Sequence, residues 1–104
     1  MKRLDVYLVA LDPTLGSEIK KTRPAIVVSP DEINQAMNTV TVVPLTTGTL
    51  YPFRVATRFS GKDGVAALDQ VRTVDKVRLV KRLGVVDAKT GRAILEGLVE
   101  MFRP

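Results

Sequence analysis

The chain has neither cysteine nor histidine among its 104 residues. Without cysteine there are no disulfides and no thiolate-bound metals. Without histidine the common zinc and copper sites are excluded, together with any Ser-His or Cys-His catalytic pair. Chemistry in this protein therefore falls to carboxylates, hydroxyls, amides, lysines and arginines. No apolar run approaches the roughly 18 residues of a membrane span, and the N-terminus lacks the pattern of a secretory signal. The expectation is a soluble, cytoplasmic protein. Acidic residues are also in deficit, with 11 Asp and Glu against 16 Lys and Arg and a formal net charge of +5. Most of the excess lies between Tyr51 and Val86, where eight basic side chains face three aspartates. Such a balance fits a polyanion partner, and it fits an ordinary basic surface equally well.

What is present is enough apolar sequence for one core. At 45% hydrophobic, with no repeat, linker or low-complexity segment, the chain reads as a single domain over residues 1–104. Leu4–Leu11, Arg23–Ser29 and Thr39–Leu45 are β-branched and apolar on both faces, the pattern of buried strands. Between the second and third of these, Pro30–Asn38 suits one or two helical turns with Asp31 near the start. Pro52–Phe59 alternates, with Phe53, Val55, Thr57 and Phe59 on one face and Arg54, Ala56 and Arg58 on the wet one. Lys62-Asp63-Gly64 is the expected hairpin turn, Val65–Val71 the returning strand, Arg72–Lys76 a polar corner and Leu79–Val85 a last strand. From Asp87, a plausible N-cap, Ile94, Leu95, Leu98, Met101 and Phe102 recur at helical spacing. Gly91 and Gly97 each weaken this helix by roughly 1 kcal/mol relative to alanine, so docking must hold it. Short strands plus one terminal helix predict a small, strongly bent sheet or barrel.

Asp12–Pro24 (DPTLGSEIKKTRP) stands apart from this pattern. It joins two buried strands, carries Lys20, Lys21 and Arg23, and ends in Arg-Pro, which biases Arg23 toward extended geometry at the start of a strand. A guanidinium held there matches the fork of two phosphate oxygens. It would equally serve to cap a strand edge or to pair with Glu18. Thr46, directly after a buried strand, can offer its hydroxyl to a phosphate at the sheet rim, or bond its own backbone as turn threonines commonly do. Lys20, Lys21, Arg54, Arg58, Arg72, Lys81 and Arg82, interleaved with Tyr51 and Phe53, are candidates to line a single-strand groove. Tyr51 suits base stacking, whereas Phe53 suits the core. Asp69 and Gln70 are candidates for reading base edges.

In order, DVYLVALDPTLGSEIKKTRPAIVVSP, NTVTVVPLTT, YPFRV and LDQVRTVD run through the chain. Together they resemble the MazF/PemK family of toxin endoribonucleases, over essentially the whole length. The resemblance implies a mainly β fold, a small SH3-like barrel of the MazF/Kid/CcdB type with a C-terminal α-helix, and a homodimer. It implies cleavage of single-stranded RNA without metal or cofactor, by 2′-hydroxyl attack that leaves a 2′,3′-cyclic phosphate and a 5′-hydroxyl. It also implies inhibition by an acidic, MazE-like antitoxin. On the matching positions it makes Arg23 of KTRP the principal catalytic residue and Thr46 of the strand-end TT pair the second. Ser17 and Thr47 join the RNA-contacting set. Some members carry a histidine in the first loop; Ser17 and Thr22 stand there in this chain. Relatives with a carboxylate in the DQ segment also have a basic residue two positions earlier, where this chain has Ala67.

Arginine stays protonated far above neutral pH, so it is a poor proton carrier near neutrality. Arg23 therefore suits the role of electrostatic clamp, Glu18 on the same loop is the expected base, and Asp69 is the alternative. Two rival functions share the fold. A gyrase inhibitor of the CcdB branch depends on a Trp-Gly-Ile-type C-terminus, whereas this chain lacks tryptophan and ends Glu-Met-Phe-Arg-Pro. A plain RNA-binding module would use the same basic residues without chemistry.

Overall fold

The three doubly apolar segments pair with one another at the centre of an antiparallel sheet. A computed structural model describes residues 1–104. The elements in chain order are β1 (Asp5–Ala10), β2 (Thr22–Val27), α1 (Asp31–Ala36), β3 (Thr39–Thr46), β4 (Arg54–Phe59), β5 (Lys62–Ala67), β6 (Arg72–Asp75), β7 (Leu79–Val85) and α2 (Ala88–Met101). Strand order is β4-β5-β3-β2-β1-β7, with β6 also paired to β3. This is a curled sheet, a half-barrel, with α2 packed on it, as expected for an SH3-like barrel.

Central β3 has two jobs. One edge pairs with β2, in the register Ala25↔Pro44, Ile26↔Val43 and Val27↔Val42. The other edge is shared, with Thr39–Val42 on β6 and Leu45–Thr46 on β5. Between β5 and β6 the residues Leu68–Gln70 form a 3₁₀ turn that lifts off the sheet. The expected continuous strand Val65–Val71 is therefore cut short at Ala67, and the expected polar corner at Arg72–Lys76 is largely strand β6. An alternating stretch can lie on a neighbour's edge even when polar on one face, and periodicity alone does not reveal that edge.

Both faces of the sheet are covered, which explains why three strands are apolar throughout. On one face Val6, Ile26, Val43, Leu45 and Leu68 meet Ile94 of α2. On the other, Val9, Leu11, Ala25, Val27, Val40, Val42 and Val74 form a second cluster under Tyr7, Ile19 and Leu79. Asp87 caps α2 by accepting from Thr90 N at 3.1 Å, as expected. The two helix glycines have a packing reason: a Cβ at Gly91 would lie 2.4 Å from Leu4 Cδ1, and one at Gly97 2.5 Å from Leu68 Cδ1. Their cost in helix propensity is the condition for the helix to sit this low on the sheet.

Two further expectations are corrected near the β4–β5 hairpin. The turn is Ser60-Gly61, both left-handed (φ 52° and 75°), whereas Lys62-Asp63-Gly64 already belongs to β5. A two-residue turn with positive φ at both positions matches the twist of its flanking strands. Phe53 is not core: it sits before β4 with φ 61° and is 42% exposed. A left-handed residue breaks the alternation, so the inward-facing series begins at Val55.

Candidate active site

Arg23 is the second residue of β2, opposite Val9 of β1. The β2–β3 pairing ends at Ala25↔Pro44, and just beyond it Arg23 and Thr46 line one cleft. The Arg23 Nε donates to Lys20 O at 3.0 Å, which orients the guanidinium without neutralising it. Arg23 takes part in none of the four ion pairs of the structure. Glu18 is not its partner; that carboxylate accepts from Leu15 N at 2.7 Å, closing the turn within the loop. Arg23 thus keeps its terminal nitrogens for an anion.

A cleft of about 370 Å³ lies beside this pair. Arg23 and Pro24 enter it from β2, Thr46 and Thr47 from the end of β3, and Lys62 and Asp63 from the β4–β5 hairpin. Thr46 Oγ1 makes only a long contact to Thr47 O, at 3.3 Å, so its hydroxyl is nearly free to turn toward a ligand. Asp63 is the one carboxylate on the cleft wall, and it is paired with Arg58 at 2.8 Å. No cluster of three metal-ligating side chains exists here or elsewhere in the chain.

The other candidates fall into two groups. Gln70 and Arg72 secure the β1–β2 loop. Gln70 accepts from Ile19 N at 3.2 Å and donates to Ser17 O at 3.5 Å, while Arg72 donates to Leu11 O at 3.2 Å. Arg78 joins them, donating to Ala10 O at 3.1 Å and also to Asp12 O. Ser17, Glu18, Lys20 and Lys21 of that loop are exposed.

The second group gathers away from the cleft. Arg54 is not on a wet face as the alternation predicts: its side chain is 16% exposed and bound at 3.0 and 3.1 Å by the two oxygens of Asp69. The 3₁₀ turn after β5 carries Asp69 back over β4, which no local pattern shows. The Asp69 carboxyl is held below its usual range by the hydrogen bond from Arg54, against the opposing effect of burial, and the same bond raises the Arg54 pKa. Tyr51, 60% exposed, has the Arg54 guanidinium 5.3 Å from its ring centre.

The sequence reading missed Arg78 as a loop clamp, along with Lys62, Thr57 and Leu83 on the cleft wall. Thr57 alone left a signal, since it shares the inward face with Val55 and Phe59; the other placements depend on pairing between distant segments.

Fold and cleft together define a small basic half-barrel with an unneutralised arginine and a threonine hydroxyl set for an anion. Residues 2–102 match the family described as PemK-like, MazF-like toxin of type II toxin–antitoxin systems. The chain is 40% identical over 90 residues to the endoribonuclease PemK of Escherichia coli, covering 80% of this chain and 68% of that one. It is 36% identical over 99 residues to the endoribonuclease MazF9 of Mycobacterium tuberculosis, covering 85% and 84%. Among solved structures, MazF from Deinococcus radiodurans superimposes with a TM-score of 0.85 at 25% identity, covering 97% of this chain and 94% of that one. An endoribonuclease from a mycobacterial species, in complex with its cognate antitoxin, gives 0.81 at 27% identity, covering 96% and 92%. The chain belongs to the MazF/PemK family of toxin endoribonucleases.

Proposed function

We propose that the chain cleaves single-stranded RNA at specific sites, without metal or cofactor, by attack of the RNA's own 2′-hydroxyl on the adjacent phosphate. The products are a 2′,3′-cyclic phosphate and a 5′-hydroxyl. The observation that carries this is Arg23, oriented by Lys20 O, free of any acidic partner and lining the same cleft as Thr46. The guanidinium fork takes two non-bridging oxygens as charge builds on the phosphorane, and Thr46 adds a hydroxyl donor. Lys62, on the cleft wall, adds a second positive charge. One carboxylate, already paired with Arg58, is a poor ligand set for a catalytic metal, which supports a metal-free route.

Glu18 acts as base in this scheme. It lies outside the cleft wall, so it reaches the 2′ oxygen through movement of the exposed loop or through a water. Asp69 suits the role less, because Arg54 stabilises its ionised form and so lowers its basicity. Thr47 contacts RNA from the cleft wall, Ser17, Lys20 and Lys21 from the exposed β1–β2 loop, and Tyr51 from the surface farther off. The chain works as a single-domain homodimer in the cytoplasm, and a tail rich in Asp and Glu from a cognate antitoxin covers the same basic surface. No helix is long and apolar enough to cross a membrane.

Incubating the purified protein with single-stranded RNA in excess EDTA tests the scheme. The expected result is cleavage of RNA but not of DNA, with cyclic-phosphate and 5′-hydroxyl ends. Binding without cleavage, or cleavage abolished by the chelator, would contradict it.

A further inference from the structure

One residue that lines the cleft has a polar group with no protein partner. Thr57, in the middle of β4, is only 8% exposed, and its hydroxyl makes no hydrogen bond within the chain. No side-chain polar atom sealed from solvent is left unpaired, so Thr57 Oγ1 keeps some contact with solvent, and the residue lines the cleft.

Across the hairpin, the residue paired with Thr57 is Gly64. Its backbone is outside the left-handed region, so conformation does not require glycine here; space does. A Cβ at position 64 would stand 3.4 Å from Thr57 Oγ1 and 3.2 Å from Thr46 O. Glycine keeps the approach open between the Thr46 strand end and the Thr57 hydroxyl. The walls beside this opening are Leu45, Phe59 and Leu83. Positive charge enters the cleft only through Arg23 and Lys62.

We propose that Thr57 and Gly64 form a base-reading subsite, in which a nucleobase next to the scissile phosphate lies among the apolar walls with its polar edge on Thr57 Oγ1. A phosphate at this point would put its charge against Leu45, Phe59 and Leu83, whereas a base offers them its flat faces. Thr57 is thus a specificity-determining residue, and the subsite rests on the ribonuclease function proposed above. A single neutral hydrogen bond to a base edge discriminates by about five- to tenfold.

The test is cleavage of single-stranded RNA oligonucleotides varied one base at a time on either side of the cut, with folding followed by circular dichroism. Thr57→Val keeps the shape, removes the hydroxyl and is expected to cut still, while losing about five- to tenfold in kcat/KM on the preferred base at one position only. Thr57→Ser retains that preference. Gly64→Ala, whose methyl fills the approach in contact with the hydroxyl at 3.4 Å and against Thr46 O at 3.2 Å, flattens the preference at the same position and decides the matter should Thr57→Val not fold. Wild-type discrimination retained in Thr57→Val or Gly64→Ala, or an equal loss on all bases, overturns the subsite while leaving the ribonuclease function standing. Wild-type protein that cuts none of the oligonucleotides overturns both.

Discussion

Arg23 and Arg54 both stand at the start of a strand, in one basic chain, and they do opposite things. Arg54 is closed on both sides, with its fork on the two oxygens of Asp69 at 3.0 and 3.1 Å and the Tyr51 ring 5.3 Å away. Arg23 gives only Nε, to a neutral carbonyl at 3.0 Å. Local charge density does not distinguish them, since the Tyr51–Val86 region has the larger basic excess. Its arginines are occupied: Arg54 by Asp69, Arg58 by Asp63, Arg72 and Arg78 by loop carbonyls, and Arg82 by Asp5. What sets Arg23 apart is the combination of a guanidinium held by a neutral carbonyl, with no carboxylate on it, and a place on the cleft wall beside Thr46.

The largest expected effect tests that contrast directly. Arg23→Ala lowers kcat by about 10³-fold with the fold intact, the scale of losing a charge-stabilising donor in the transition state, whereas Arg54→Ala stays within about tenfold and instead lowers thermal stability. Cleavage rates and melting curves of the two variants check this, and equal losses of activity would erase the distinction. Next in size is the proton transfer. Glu18→Gln lowers kcat by about 10²-fold, and Asp69→Asn by less than tenfold because Arg54 keeps that carboxylate a weak base; the reverse order would move the base to Asp69. Smaller again is the electrostatic share of inhibition. Raising salt from about 0.05 to 0.5 M weakens binding of an Asp/Glu-rich antitoxin tail by about tenfold or more, read by titration calorimetry. An affinity indifferent to salt would mean that the uncovered basic groups are not what the tail meets.

The smallest effect concerns the closed pair. Its folded-state carboxyl pKa is depressed, so the stabilisation is present above the unfolded value of about 4 and is lost as pH falls through the folded value. Asp69→Asn should lower Tm by about 2–5 °C at neutral pH, and the difference should vanish in acid. A difference that persisted below pH of about 2 would show that the contribution of Asp69 is not ionic.

Much of the barrel was legible because burial on both faces leaves a simple mark, the uninterrupted apolar runs of β1, β2 and β3. The helix was legible from its three- and four-residue spacing and from Asp87. The hairpin turn was misplaced because Lys62-Asp63-Gly64 has turn composition, whereas the left-handed pair Ser60-Gly61 carries the geometry. At the cleft, position alone left Arg23 and Thr46 with structural alternatives, and the MazF/PemK resemblance is what singled them out. What pairs with Arg54, and what Arg78 holds, depends on contacts 15 and more than 60 residues apart in the chain. Local composition contains no trace of such contacts.

The claim on which the rest depends is that the nucleophile belongs to the RNA and the protein grips the phosphate. Replacing the ribose immediately before the scissile bond with 2′-deoxyribose, in an otherwise cleavable oligonucleotide, tests it most directly. The expected result is an oligonucleotide that binds but stays whole at that bond. Cleavage there at an appreciable rate would contradict the account.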